Sequence, residues 1–189
     1  MPLISKQPRI DPLTPPYDEE ARATLELLGP PIQLFRVWAR RPQLGRGIAN
    51  WGRYYLSRHS ALTIRQRELV IDRTTALCGA DYEWGVHVAV FAGKAELDAQ
   101  QIRSLATGGP ADSCWSATDR AVIAAVDELH ATFDLSDEAW AALVTAIGED
   151  AALELTLICG WYHAISFAVR ALRLPLEPGT APISTTPVA

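Results

Sequence analysis

Glu83 and His87 stand four residues apart, so a helix carrying both presents them on one face. Glu68 lies upstream, four residues after Ile64 and three before Ile71, which places a carboxylate beside an apolar stripe. A carboxylate there loses hydration, and its pKa rises unless a partner charge compensates. An acid tuned toward neutrality next to a histidine is what general acid–base chemistry requires. The plainer alternatives are a structural Glu68 paired with an arginine and an ordinary surface pair at Glu83 and His87. His163, in an apolar stretch, reads as a satisfied core histidine.

Metal and thiol chemistry have weaker support. Glu68, Glu83 and His87 form a carboxylate-rich set, but no HxxEH or HxH spacing accompanies them, and no metal is expected. Cys78, Cys114 and Cys159 are too few and too scattered for a disulfide scaffold. Residues 36–73 hold nine arginines (36, 40, 41, 46, 53, 58, 65, 67 and 73) against two acidic residues, Glu68 and Asp72.

The segment Arg65–Arg73, followed by Tyr82-Glu83-Trp84-x-x-His87 and the Ala92-Gly93 helix end, resembles the carboxymuconolactone decarboxylase family, related to the AhpD-like alkyl hydroperoxidase proteins. The stretch GWYHAISFAVRALRLPLE at 160–177 resembles the closing helix of longer family members, so the likeness spans roughly residues 60 to 177. The thiol-reductase branch carries C-x-x-C-x-x-x-H with an upstream glutamate. Counted back from His87, its two cysteine positions are Ala80 and Glu83, and the upstream glutamate is Glu68. Disulfide exchange needs an attacking and a resolving thiol, and both are missing. Tyr before and Trp after Glu83 match the decarboxylase branch instead.

The resemblance implies an all-α, AhpD-like domain and a cofactor-free decarboxylase or related lyase acting on a small carboxylated lactone or enone. Glu83 or His87 would protonate the enolate left by CO2 loss. Glu68 would orient His87, and Tyr82 would hydrogen-bond the enolate oxygen. An anionic substrate needs cations, and Arg65, Arg67 and Arg73 are nearest Glu68; Trp84 is the remaining substrate-binding candidate. A homo-oligomer is implied, a trimer or hexamer with a dimer as the alternative, and the apolar Ile32–Trp38 helix suits subunit burial. The rival readings are a peroxide-linked oxidoreductase and a non-catalytic ligand-binding oligomer.

The elements that position these groups read as helices throughout. Nine are expected: Asp18–Gly29, Ile32–Arg41 ended by Pro42, Leu44–Arg58, Thr63–Cys78, Asp81–Gly93 with Asp81 as its cap, Asp98–Ala106, Ser116–Phe133, Ser136–Ile147 and Ala151–Leu172. Thr63-x-x-Gln66 is a capping-box pattern. No run alternates with period two. Five of the 13 prolines fall in residues 1–17, which read as an extended arm; 18–177 form one domain and 178–189 a tail. The 189 residues are 49% hydrophobic and 21% charged, with a net charge of −5, which excludes a disordered chain and a strongly basic nucleic-acid binder. The start has no apolar signal-like stretch, and the uncharged run Leu155–Val169 is 15 residues, short of the ~20 a spanning helix needs. A cytoplasmic protein with no membrane partner is expected.

Overall fold

A computed structural model describes residues 7–185; the first six residues of the expected arm and the last four of the expected tail lie outside the described residues. Among the described residues there are nine α-helices, one 3-10 turn and no strand. They are α1 (Glu19–Leu28), α2 (Gln33–Trp38), α3 (Pro42–Tyr55), α4 (Ile64–Leu77), α5 (Asp81–Phe91), α6 (Ala99–Thr107), α7 (Ala117–Thr132), α8 (Asp137–Ile147) and α9 (Glu149–Leu172).

Local chemistry sets most boundaries. Thr63 and Gln66 form a reciprocal capping box at α4, as do Asp98 and Gln101 at α6 and Ser116 and Asp119 at α7. Two expected boundaries are corrected. Pro42 opens α3 as its first residue instead of closing α2, because a proline at N1 gives up no hydrogen bond. Asp81 is the first residue of α5 and not its cap; the cap position is Ala80, and the Asp81 carboxylate accepts from the Ile183 backbone N–H at 3.0 Å.

α4 is the central helix. Nine consecutive residues, Arg67 to Thr75, are buried, so it is covered on every side by α5, α6, α7 and α9. A helix buried all round cannot keep its polar side chains in water, so each is stabilised by a partner inside or has its charged form disfavoured. Two of its arginines reach α7: Arg65 pairs with Asp119 at 3.0 Å and Arg73 with Asp127 at 2.5 Å. α9 is long and apolar enough by composition to cross a membrane, but nine of its residues are buried in the core of this chain.

α1, α2 and α3 form a thinner layer set against α5 and α9. Leu34, Val37 and Trp38 of α2 are buried within the chain. This helix therefore packs its apolar side chains into the core of its own chain. Both ends of the chain are tied down where they are described. Arg9 and Leu13 donate backbone N–H bonds to Leu172 and Arg36, and Thr180 and Ala181 lie against Gly85 of α5.

Candidate active site

Four charged side chains on α4 and α5 form a linked series. Arg67 Nε donates to Glu68 Oε1 at 2.8 Å, and Glu68 Oε2 accepts from His87 Nδ1 at 2.7 Å. The other ring nitrogen, His87 Nε2, faces Glu83 Oε1 at 3.4 Å and the Tyr162 hydroxyl at 3.1 Å. Glu68 is fully buried, and Glu83 and His87 are nearly so. The i, i+4 spacing on α5 brings Glu83 and His87 together. The pairing of α4 with α5 brings Glu68 up behind the ring.

The electrostatics follow from burial opposed by pairing. Burial alone would raise the Glu68 pKa, but the charges and hydrogen bonds of His87 and Arg67 outweigh it and hold the carboxyl below its ordinary value. Burial alone would lower the His87 pKa; Glu68 and then Glu83 reverse this and push it up to about 10. At neutral pH the pair is therefore carboxylate and imidazolium. Both ring nitrogens carry protons, and the Nε2 proton points away from Glu68. Asp72, one turn after Glu68 on α4, is buried, and neither of its oxygens has a partner among the described residues. Burial and the neighbouring Glu68 charge push its pKa well up.

His87 opens onto a cavity of about 300 Å³ enclosed between the α1–α3 layer and helices α4, α5 and α9. The polar residues of this cavity are Arg53, Arg67, Glu83, His87, Tyr55 and Tyr162. The opposite walls are apolar and aromatic, including Ile32, Phe35, Trp38, Ile48 and Trp161. Phe91 stacks under His87 with ring centroids 5.2 Å apart and lies 5.4 Å from the Arg67 guanidinium. Arg67 Nη1 donates to the Tyr55 carbonyl at 3.0 Å, which leaves Nη2 without a hydrogen-bond partner among the described residues.

Of the residues expected at the site, Glu68, Glu83, His87 and Arg67 come together. Four do not. Arg65 and Arg73 point away from the cavity, because Asp119 and Asp127 hold their guanidinium groups on α7. Tyr82 shares α5 with Glu83 but faces α2: its hydroxyl accepts from Leu34 N–H at 3.1 Å and donates to Glu177 at 2.5 Å. Burial and the Glu177 contact hold its pKa far above the ordinary phenol value. Trp84 is 1% exposed in the main core, on another face of α5. Tyr162 and Arg53 are the residues that sequence reasoning missed. Tyr162 sits inside the family-like 160–177 stretch, and Arg53 is one of the nine clustered arginines, but neither spacing said which would face the cavity. Cys78, Cys114 and Cys159 are all free, and none lines the cavity.

Residues 42–128 match the model of the carboxymuconolactone decarboxylase family. The matched segment carries α4, α5 and the Glu68–Glu83–His87 set. The match starts before the expected position 60 and stops short of α9, which supplies Tyr162. No curated protein matches the sequence. Among solved structures, the fold is similar to that of the debrominase Bmp8, crystallised as a cysteine-to-alanine variant with 2,3,4-tribromopyrrole. The TM-score is 0.73 at 15% identity, over 96% of this chain and 97% of that chain. At this identity the likeness is one of fold.

Proposed function

We propose that this chain is a cofactor-independent lyase of the decarboxylase type, acting on a small, largely apolar lactone or enone that bears a carboxylate. The observation that carries this reading is the buried His87 imidazolium, held from behind by Glu68 and presenting its Nε2 proton to a mostly apolar cavity. A proton donor and a conjugated carbonyl suffice for this chemistry, since the substrate's own π-system accepts the electron pair.

In the proposed reaction the substrate carbonyl oxygen lies toward Arg67 Nη2 and Tyr162, and its carboxylate lies toward Arg53, which also lines the cavity. Loss of CO2 breaks one C–C bond and sends the pair into the carbonyl, forming an enolate. Arg67 and the Tyr162 hydroxyl stabilise the developing oxyanion among mostly apolar walls. His87 Nε2 delivers its proton to carbon, and Glu83, 3.4 Å away, relays a solvent proton back to the ring. The net reaction takes up one proton and releases CO2. Tyr162 remains a phenol throughout, because burial raises its pKa well above the ordinary value.

The test is incubation with carboxymuconolactone in D2O without added cofactor or metal, followed by NMR. Release of CO2 with one deuterium placed at carbon is the expected result. His87→Ala and Glu83→Gln should each lower turnover by about 10²- to 10⁴-fold, the usual contribution of a positioned acid. Undiminished turnover in both variants, or no turnover by the wild type on this and related carboxylated lactones, would overturn the reading.

A further inference from the structure

A second cluster of chemically capable side chains lies away from this cavity, where the C-terminal ends of α4 and α7 meet the middle of α9. One ligand atom from each of Cys78, His130 and His163 lies within 4.8 Å of the other two. Cys78 caps α4, His130 is in the last turn of α7, and His163 follows Tyr162 on α9. The sequence spacing hides the set, because 52 residues separate Cys78 from His130 and 33 separate His130 from His163. Glu68 and Cys78 are ten residues apart on α4, so the cluster is about 15 Å from the acid–base site along that helix.

We infer that Cys78, His130 and His163 form a binding site for a thiophilic divalent cation such as Zn²⁺, with a fourth position open to water. Thiolate and imidazole are the donors that borderline-soft ions prefer, and three protein ligands plus water is a recurrent arrangement for zinc.

The ring orientations support it. His163 Nδ1 lies 2.9 Å from the Cys159 carbonyl oxygen, which can only accept, so Nδ1 carries the proton. That bond directs Nε2 toward His130 Nδ1, 2.9 Å away, and a bound cation would displace the proton these nitrogens share. A backbone carbonyl on the far nitrogen is how metal-binding histidines are commonly oriented. Tetrahedral Zn²⁺ needs its two nitrogens about 3.3 Å apart and each about 3.6 Å from the sulfur. The two rings would open by a few tenths of an ångström, and the sulfur, within 4.8 Å of both nitrogens, would close by at most about 1 Å. The Cys78 backbone is held for this by Arg170, which donates from Nη1 to its carbonyl oxygen. Both histidines are partly exposed while Cys78 is buried, which provides an entry path on the imidazole side.

Such an ion would join three core helices at one point. His163 is adjacent in sequence to Tyr162, whose hydroxyl meets His87, so the site would anchor the segment of α9 that reaches the acid–base site.

The experiment is titration of the full, tag-free chain with Zn²⁺ by calorimetry and with Co²⁺ by absorption. The expected results are one equivalent bound at micromolar affinity or tighter, a thiolate-to-cobalt charge-transfer band and tetrahedral d–d bands. Saturating Zn²⁺ should also raise Tm by about 5 °C or more. Cys78→Ser should abolish the charge-transfer band, and His130→Asn should weaken binding at least tenfold. Cys114→Ser and His87→Ala should bind as the wild type does. His130 is only partly buried, so His130→Asn tests the site even if Cys78→Ser fails to fold. Absence of stoichiometric binding by the wild type, or binding that His130→Asn leaves unchanged, would overturn the inference.

Discussion

Two carboxylates address one imidazole at His87, and their positions divide the work. Glu68 is fully buried and bonded at 2.7 Å, so it holds the ring and its charge; Glu83 lines the cavity at 3.4 Å, where it can exchange protons. The His87 pKa rises from its ordinary value of 6.5 to about 10 in the folded chain. A pKa raised by folding means that the stabilisation from this proton is complete below pH 6.5 and lost as pH rises through about 10. Tm should therefore fall between those limits, and His87→Ala should flatten that fall in a pH series of thermal melts. Glu68→Gln keeps a hydrogen bond to Nδ1 but removes the charge. Its expected effect is to shift the alkaline limb of kcat/KM downward in pH, with a retained fold by circular dichroism. An unshifted limb would show that Glu68 does not set the His87 proton.

At the scale of elements, α5 carries different tasks on its different faces. Glu83 and His87 serve the cavity, Trp84 serves the core, and Tyr82 ties the helix to α2 and to the Glu177 segment. Tyr82→Phe should therefore act on stability. It strips a buried partner from Leu34 N–H and from Glu177, a loss of about 1–3 kcal/mol. Chemical denaturation should show that loss, with little change in kcat. A collapse of kcat in a fully folded variant would return Tyr82 to the catalytic set. Gly85 serves the fourth contact: a Cβ there would meet the Ala181 carbonyl at 2.9 Å and Thr180 Cβ at 3.0 Å. Gly85→Val should displace residues 180–185 from α5 and make that segment more susceptible to limited proteolysis.

Across the whole molecule, the charged residues of α4 do more than serve the site. Arg73 is 6% exposed and holds Asp127 with two bonds while also donating to the Leu105 carbonyl. Arg73→Ala should cost about 2–3 kcal/mol, or about 5–10 °C in Tm, without changing KM. The outer face of α9 is different, since Leu153, Leu157, Gly160, Ala164 and Phe167 are all exposed and fall on one uncharged stripe. A stripe of that kind is better suited to another subunit than to water. Light scattering should show a homo-oligomer for the wild type and a smaller species for Leu157→Glu.

Much of this was legible from residue order alone. Helix positions follow from caps and breakers that act within four residues, as at Thr63, Asp98, Ser116 and Ser136, so local reading finds them. Glu83 and His87 were likewise visible because helical spacing alone places them together, and the upstream Glu68 was marked by the resemblance of its segment. What only tertiary structure decided were the partners that lie far away in the chain. The destinations of Arg65, Arg73 and Tyr82 depend on Asp119, Asp127 and Glu177, which are 54, 54 and 95 residues distant. No local pattern records such pairs, because a buried charge or hydroxyl goes wherever packing brings a partner within reach. The same physics placed Tyr162 against His87, left Asp72 without a partner among the described residues, and brought Cys78, His130 and His163 to one point.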